Sequence, residues 1–486
     1  MGLIAGVDSS TQSTKVVLHD EDGFAVVGRG AAPHPPTFPP VSEQDPERWW
    51  TALGQALSTA LEDAAAAPTD VRAISVAAQC HGLVALDRGG AVVRPAKLWN
   101  DTTSAPQMTR LLEQLPATEW ARRTGSVPTA AFTISKLAWL RAHEPENFAR
   151  TATVLLPHDW LTYRLTGETA TDRSEASGTG YFDAGRNSYD HELLAMVDPD
   201  VDWDPMLPTV LGPSTAAGTV SNAAAEALGL RRDTVVGPGA GDQHASALGL
   251  GTRPGDLVYV LGTSGVVFTT STTPTHDPTG TVDGVADAAG GYLPLVSTLN
   301  AAKVTDTFAR LLGVDHAEFA RLALAAEPAG TPILAAFLDG ERKPDLPAAT
   351  GTLTGITTAT TREQVARAAV DGVLFGLLRG AKALSEAGAD TTGRVIVTGG
   401  ASQSPAYRQL LADGTGATVH VSTSTEAVAD GAALQAAACL AGVDVRAVRD
   451  TSAAPVVADA TARPSAGTEP FRRYLNVASW RGGDRP

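Results

Sequence analysis

Two short segments, about half the chain apart, share one pattern: an apolar strand, a tip of small polar residues and a returning strand. In the first segment the strands Leu3–Val7 and Lys15–His19 flank the polar tip. In the second, Asp256–Leu261 and Val266–Thr270 flank a tip of glycine, threonine and serine. Such a recurrence predicts a duplicated architecture in which the two halves of the chain fold alike. Two unrelated hairpins would give the same pattern, so the duplication needs independent support.

A second pair of features repeats in step with the first. Residues Pro46–Ala66 are predicted to form a helix, and the buried-strand candidate Arg72–Ala78 follows. In the second half the predicted helix Arg362–Ala387 is likewise followed by the strand candidate Arg394–Thr398. Alternating strands and helices predict an α/β fold with helices packed on the faces of the sheets.

The domain organisation follows from length and from glycine content. A chain of 486 residues is long enough for two or three domains, and the glycine-rich passage Gly249–Gly255 is the predicted boundary. After Gly442 the alternating pattern weakens, so we expect a surface excursion at Pro455–Pro470 and a short amphipathic end, Glu469–Ala478. The predicted segments are a first domain, a second domain and a C-terminal extension: residues 1–250, 251–445 and 446–486.

Composition excludes several classes of protein. With 37 Lys and Arg against 53 Asp and Glu, the net charge of −16 repels polyanions and argues against nucleic-acid binding. Cys80 and Cys439 are the only cysteines, which excludes a disulfide scaffold or a multi-cysteine metal site and favours a reducing cytoplasm. No run of 18 apolar residues and no basic leader occur, so no membrane association is expected.

Acids beside small polar residues are the strongest candidates for chemistry. Asp8 lies at the mouth of the first hairpin, before Ser10 and Thr11, where backbone N–H groups can approach a phosphate. A carboxylate there suggests Mg²⁺, bound directly or through water, although a turn-capping Asp would look the same. Asp242 follows a glycine-rich loop and precedes a predicted helix. It could cap that helix or act as a general base, and its position alone does not decide.

Other polar residues follow predicted strands. Cys80 and His81 are adjacent, and adjacent strand residues face opposite sides, which argues against a nucleophile–base pair. His81 at a strand end is better suited to hydrogen bonding with a polyhydroxylated ligand. Asn100 and Asp101 supply two further polar side chains after an apolar segment. The glycine-rich passage before Asp242 lacks the third glycine of a dinucleotide-binding loop, so a Rossmann dehydrogenase is not expected.

Several motifs that occur together in one protein family recur here in the same order. They are Ser42–Glu47 with Trp49-Trp50, Leu98–Asp101, Phe132–Leu140, Gly241-Asp242, Leu261–Val266, Gly340–Arg342 and Gly351–Asp371. With these motifs the chain resembles the FGGY carbohydrate kinases, and among them the members that act on D-xylulose. The match is poorer at Ala131 and Ala142, and it weakens after Gly442.

The resemblance implies two actin-like (ribonuclease H-like) domains flanking a catalytic cleft, with ATP and Mg²⁺ as cofactors. It implies that Asp242 is the catalytic base and that Asp8 lies near the metal and the phosphates. The implied sugar contacts are Cys80, His81, Asn100, Asp101 and Gln243. The implied ATP contacts are Ser10, Thr11, Lys15, Gly262, Thr263, Ser264, Gly399 and Gly400. Three residues depart from the commoner family choices: Cys80 for Met, Ser10 for Gly and Gln243 for Asn.

The expected function is ATP-dependent phosphorylation of D-xylulose to D-xylulose 5-phosphate in the cytoplasm. The expected partners are the sugar and ATP, and a homodimer is compatible with this interpretation. Kinases of the same family for ribulose, gluconate or glycerol are the nearest alternatives. A non-catalytic nucleotide switch of the actin or heat-shock ATPase kind is a more distant one, since a switch would not need the sugar-contact residues His81 and Asp101.

Overall fold

The computed structural model describes residues 2–344, 346, 348–463 and 469–479. We call the residues up to 250 the first lobe. Its strands are β1 (Leu3–Ser9), β2 (Ser13–Asp20), β3 (Val26–Pro33), β4 (Glu43–Gln44), β5 (Val71–Ala78), β6 (Val84–Leu86), β7 (Ala96–Lys97), β8 (Thr153–Leu155), β9 (Ala170–Asp172), β10 (Phe182–Asp183), β11 (Ser188–Tyr189), β12 (Thr209–Leu211), β13 (Gly218–Thr219), β14 (Val235–Val236) and β15 (Ala240–Gly241). Its helices are α1 (Pro46–Asp63), α2 (Ala105–Gln114), α3 (Ala117–Thr124), α4 (Thr133–His143), α5 (Pro145–Arg150), α6 (Pro157–Thr166), α7 (Arg173–Ser177), α8 (His191–Val197), α9 (Asn222–Leu228) and α10 (Asp242–Gly249).

We call the described residues from 251 onward the second lobe. Its strands are β16 (Leu257–Leu261), β17 (Gly265–Thr269), β18 (Asp283–Ala286), β19 (Tyr292–Thr298), β20 (Ile333–Ala335), β21 (Thr352–Thr354), β22 (Val395–Thr398), β23 (Val419–Ser422) and β24 (Val456–Ala460). Its helices are α11 (Ala302–Leu312), α12 (His316–Ala325), α13 (Arg362–Glu386), α14 (Pro405–Thr415), α15 (Ala427–Ala441), α16 (Val445–Ser452) and α17 (Glu469–Ala478).

The large sheets of the two lobes share a common plan. The first sheet has the order β13-β14-β5-β1-β2-β3, and the second has the order β18-β19-β17-β16-β22-β23-β24. In the first sheet, β1 pairs antiparallel with its returning strand β2 and parallel with β5, which follows helix α1. In the second sheet, β16 pairs antiparallel with its returning strand β17 and parallel with β22, which follows helix α13. The predicted duplication is therefore confirmed at the level of sheet topology.

Local sequence explains why these elements form where they do. Every residue of β1 is buried, as expected for a strand whose sheet is covered by helices on both faces. Helix α13 begins one residue after Thr361, whose hydroxyl accepts from the Gln364 N–H while the Gln364 side chain accepts from the Thr361 N–H. In the first lobe Trp49 of α1 packs edge-on against Trp160 of α6, with ring centroids 6.1 Å apart, inside the core.

The C-terminal region corrects one prediction. The stretch Pro455–Pro470 was expected to be a surface excursion, but strand β24 within it pairs antiparallel with β23 and forms the edge of the second sheet. Helix α17 matches the predicted amphipathic end, and its Phe471 and Tyr474 rings pack against Phe375 of α13. Helix α17 is amphipathic, and packing against α13 removes its apolar face from water. Residues 464–468 and 480–486 of the predicted extension lie outside the described residues.

The lobes meet where helices α10 and α15 cross. A side chain at Gly249 would overlap the carbonyl oxygen of Ala427, and one at Gly431 would overlap that of Ala245. Only glycine permits this closeness, so the two helices approach each other backbone to backbone. None of the described helices is both long and apolar enough to span a lipid bilayer.

Candidate active site

A cavity of about 140 Å³ lies between the lobes and is lined by both. The first lobe contributes aromatic and polar side chains, among them Cys80, His81, Trp99, Phe132, Asp242, Gln243 and His244. The second lobe contributes Ser264, Val266, Asp283, Val285, Leu295, Ser297, Arg342 and Lys343. Apolar walls with a few converging polar groups are typical of a small-molecule site.

Asp242 is the first residue of α10, and Gly241 is the N-cap. The capping alternative for Asp242 is therefore wrong, because Gly241 occupies the capping position. One Asp242 carboxylate oxygen, Oδ1, accepts from the Gln243 N–H at 2.7 Å and from the Cys80 thiol at 3.6 Å. The other oxygen has no hydrogen-bond partner among the described residues. Burial raises the pKa of Asp242 above its ordinary value, which makes this carboxylate a stronger proton acceptor than an exposed one.

Asp8 lies near the end of β1, with a side chain that is 6% exposed. The Ser10 hydroxyl donates to Asp8 Oδ1 at 2.5 Å. Burial raises the pKa of Asp8 to about 7; the Ser10 hydrogen bond opposes this rise, and the negative charge of Asp242 adds to it. The two carboxylates are thus close enough to repel each other, and a bound cation would relieve that repulsion.

The tip of the first hairpin is tied to its surroundings through Thr11. The Thr11 hydroxyl donates to Gln79 Oε1 at 3.1 Å and accepts from the Trp99 indole N–H at 3.0 Å. The Gln44 amide donates to the Thr11 carbonyl at 3.1 Å. Lys15, on the returning strand, reaches across to the second lobe and pairs with Glu426 at 2.7 Å. A phosphate contact by the Thr11 hydroxyl or by Lys15 stays a prediction, and each would compete with these bonds.

The His81 ring is fixed by two contacts. Its Nδ1 lies 2.7 Å from the Gly178 carbonyl oxygen, and the ring stacks on Phe132 with centroids 4.8 Å apart. A carbonyl can only accept, so Nδ1 carries the proton in this contact. Burial lowers the pKa of His81 to about 3, so the ring is neutral near pH 7. The remaining nitrogen, Nε2, is then a hydrogen-bond acceptor, as a sugar hydroxyl requires.

The other predicted sugar contacts differ in whether they line the cavity. Gln243 lines the cavity, and its Oε1 is buried without a hydrogen-bond partner among the described residues. Asp101 is not among the residues lining the cavity; its carboxylate accepts from the backbone N–H groups of Ser42 and Thr103, from the Thr103 hydroxyl and from Lys97. These bonds outweigh burial and hold the pKa of Asp101 below its ordinary value. A sugar contact by Asp101, or by Asn100 beside it, stays a prediction.

The tip of the second hairpin has fewer contacts than the first. The Gly262 N–H donates to the Ser264 carbonyl at 3.1 Å, and the Ala302 N–H donates to the Gly262 carbonyl at 3.0 Å. Gly399 has a φ of 90°, and a Cβ there would lie 2.7 Å from the Leu261 carbonyl oxygen. The glycine therefore lets the loop after β22 lie directly against the base of this hairpin. Gly400, next to it, has open space beside its Cα.

Two basic residues of the second lobe, Arg342 and Lys343, line the cavity although the sequence predicts no role for them. The Arg342 guanidinium lies 4.9 Å from the centre of the Trp99 ring, and its Nη1 donates to the Ser297 hydroxyl at 3.2 Å. Lys343 lies 3.5 Å from Asp283. The run Gly340-Glu341-Arg342 was recognised as a motif, but only the fold brings these cations to the wall opposite Trp99.

The chain is similar to known proteins over nearly its whole length. The family models for the N-terminal and C-terminal domains of the FGGY family of carbohydrate kinases match residues 3–249 and 257–440. The chain belongs to this family. It is therefore a carbohydrate kinase that uses ATP, with two actin-like domains, and the non-catalytic switch is excluded.

Individual relatives agree with the family match. A xylulose kinase of Streptomyces coelicolor is 46% identical over 481 residues, which cover 98% of this chain and 96% of that relative. A xylulose kinase of Streptomyces rubiginosus is 45% identical, covering 94% of this chain and 92% of the relative. The crystal structure of xylulose kinase from Bifidobacterium adolescentis superposes with a TM-score of 0.85 at 37% identity, covering 98% of this chain and 99% of that one.

Proposed function

We propose that this enzyme transfers the γ-phosphate of ATP to D-xylulose, producing D-xylulose 5-phosphate and ADP. The observation that carries the proposal is the near-full-length identity of 45–46% to two xylulose kinases. The cavity supports it, because the neutral His81 ring offers an acceptor and Gln243 an amide to hydroxyl groups of a sugar. A small polyhydroxylated substrate needs such directed hydrogen bonds, since it has little apolar surface to bury.

Asp242 is proposed as the general base. A sugar hydroxyl is a weak nucleophile, and a positioned carboxylate that accepts its proton typically contributes ~10²–10⁴-fold to the rate. Burial makes the Asp242 carboxylate more basic, and its position on the cavity wall supports direct contact with a bound sugar. Most of the remaining rate enhancement then comes from alignment, with the reacting atoms held at about 3–3.5 Å.

Mg²⁺ is proposed as the metal, held by Asp8 directly or through water. The residues fit this role: Asp8 has one carboxylate oxygen on Ser10, and the other has no partner among the described residues. Mg²⁺ commonly uses one or two carboxylates together with waters and substrate phosphates, and when bound it neutralises the charge of those phosphates. The first hairpin, with Ser10, Thr11 and Lys15, would then hold the phosphates from the first lobe.

The nucleotide is proposed to lie mainly on the second lobe. The backbone N–H groups of Gly262, Thr263 and Ser264 are suited to phosphate oxygens, because small residues let a phosphate approach the backbone. The open face of Gly400, beside Gly399, leaves room for the adenosine. We accordingly propose that residues 1–250 form the sugar-binding domain and residues 251–445 the nucleotide-binding domain. A cytoplasmic location and a homodimer remain predictions, which cell fractionation and analytical ultracentrifugation would test.

The proposal is tested by ADP release with a panel of acceptors: D-xylulose, D-ribulose, D-gluconate and glycerol. We expect the largest kcat/KM for D-xylulose, and phosphorus NMR should assign the product as the 5-phosphate. A clearly larger kcat/KM for any other acceptor would reject the substrate assignment while leaving the kinase family intact. A blank without sugar measures ATP hydrolysis by water, which should be slow.

A further inference from the structure

Three potential metal ligands lie together behind Asp242, on three different elements. Cys80 follows β5, Glu175 belongs to α7 and His244 belongs to α10. A sulfur, a carboxylate oxygen and a ring nitrogen from these side chains all lie within 4.8 Å of one another. The proposed phosphoryl transfer gives no task to Glu175 or His244.

Glu175 and His244 are also left without partners. Both side chains are buried, at 1% and 3% exposure. Neither Glu175 oxygen and neither His244 ring nitrogen has a hydrogen-bond partner among the described residues. Buried polar groups are nearly always satisfied, because leaving one unpaired costs about 1–3 kcal/mol. Several unpaired atoms around one point indicate a place for a ligand.

That point lies beside Gly241. A Cβ at this glycine would lie 2.5 Å from His244 Nδ1, 2.6 Å from Glu175 Oε1 and 2.7 Å from Cys80 Sγ. The three donor atoms therefore crowd the side of Gly241 that has no side chain, and no larger residue fits there without displacing them. Zinc–ligand distances are about 2.0–2.3 Å, so an ion bound by the three atoms would lie farther from the Gly241 backbone, and the three side chains would move outward with it. Cys80 and His244 line the cavity, which gives a cation a route of entry.

We propose that Cys80, Glu175 and His244 bind one thiophilic divalent cation of the Zn²⁺ or Co²⁺ class. Thiolate, imidazole and carboxylate are ligands that these metals accept, whereas Mg²⁺ prefers six oxygen ligands. The site is thus distinct from the Mg²⁺ site proposed at Asp8. Binding releases the Cys80 thiol proton to solvent, because the thiolate is the form that coordinates.

Occupancy of this site should inhibit the kinase. The Cys80 thiol now donates to Asp242 Oδ1 at 3.6 Å, and this contact, which helps to hold the carboxylate in place, is lost when the thiolate binds metal. Cys80 and His244 also line the cavity, so a bound cation changes the wall against which the proposed sugar lies. This consequence rests on the proposed role of Asp242 as base, but metal binding itself does not.

The test is a titration of the full-length protein with Co²⁺, followed by the near-ultraviolet thiolate-to-cobalt absorption band. We expect one Co²⁺ per chain, displaced by Zn²⁺, and no band in Cys80→Ser. Glu175→Gln and His244→Gln should weaken Co²⁺ binding by about tenfold or more. Cys439→Ser is the matched control and should keep the band, because Cys439 lies on α15.

A second variant removes the sulfur without putting another polar atom in its place. Cys80 forms no disulfide, and alanine is smaller than cysteine, so Cys80→Ala should fold and yet lose the Co²⁺ band. Circular dichroism and ATP binding report whether each variant is folded. Absence of the band in the folded wild type, or its persistence in Cys80→Ser, overturns the proposal. Because absorbance needs no sugar, a failure here is distinguishable from a failure of the xylulose assignment.

Discussion

The two hairpins occupy equivalent places in their sheets but carry different tips. The tip of the first, between β1 and β2, is fixed by side chains: Thr11 is bonded to Gln79 and Trp99, and Ser10 to Asp8. In the second, between β16 and β17, the side chains of Thr263 and Ser264 make no hydrogen bond within the described part of the chain. This tip is held by backbone hydrogen bonds, from the Gly262 N–H to the Ser264 carbonyl and from the Ala302 N–H to the Gly262 carbonyl.

This difference separates two tasks that the same backbone can perform. The first hairpin holds a buried carboxylate in a defined position, as the proposed Mg²⁺ site requires. The second leaves small residues and backbone groups free to adjust, as the proposed phosphate contact requires. The strands β1 and β16 are both largely buried, so the tip residues, rather than the strands, determine what each hairpin does.

Removal of the proposed base should have the largest effect. In Asp242→Ala we expect the kcat for D-xylulose to fall by ~10²-fold or more, because the lost carboxylate accepts the hydroxyl proton. Nucleotide affinity, measured by calorimetry, should change little, since neither hairpin tip is altered. The matched control Asp202→Ala removes an exposed carboxylate and should be active. Near-normal turnover in Asp242→Ala would exclude the base assignment.

Loss of the carboxylate from the first hairpin should reduce turnover in a different way. Asp8→Ala should impair the placement of metal and phosphates, so excess Mg²⁺ should restore part of the kcat. Ser264→Ala, on the second hairpin, should leave the Mg²⁺ dependence unchanged. Equal shifts of the Mg²⁺ midpoint in both variants would contradict the division of tasks between the hairpins.

The buried charge of the first hairpin should also appear in pH-dependent stability. The folded-state pKa of Asp8 is raised to about 7 from an ordinary 3.8, so the folded state holds the proton more tightly. Stability without Mg²⁺ should therefore fall as pH rises, by about 2 kcal/mol between about pH 5.5 and about pH 7.5. In Asp8→Asn, the free energy of unfolding, measured by denaturant titration with a chelator present, should not fall over this pH range. If the free energy of unfolding falls equally with pH in the wild type and in Asp8→Asn, then groups other than Asp8 cause the fall.

A smaller effect on the kinetics is expected when Arg342, on the cavity wall opposite Trp99, is replaced. Arg342→Gln removes a contact worth about 1 kcal/mol that helps to hold the Trp99 ring on the cavity wall, so the KM for D-xylulose should rise, by at most about fivefold. The kcat should change less, because Asp242 is untouched. Arg310→Gln alters an exposed arginine of α11 and is the control. Unchanged steady-state KM in Arg342→Gln would remove Arg342 from the sugar site.

Structural features that depend on neighbouring residues could be predicted from the sequence. Features that depend on contacts between residues far apart in the chain could not. The hairpins, the start of α13 at Arg362 and the position of Asp242 at the start of α10 follow from patterns within a few residues. Strand β24 depends on pairing with β23 across α15 and α16, which no local pattern encodes. Likewise, no local pattern indicates that Asp101 is enclosed by Ser42, Lys97 and Thr103, or that Arg342 faces Trp99.

The central claim is that each lobe supplies half of one site, and ligand coupling tests it most directly. The affinity for D-xylulose should be measured by calorimetry with and without a saturating non-hydrolysable MgATP analogue. Because both lobes line the cavity, we predict that the nucleotide tightens sugar binding by about 5–150-fold, a coupling of about 1–3 kcal/mol. Equal sugar affinities with and without the nucleotide would contradict the account and indicate two sites that act independently.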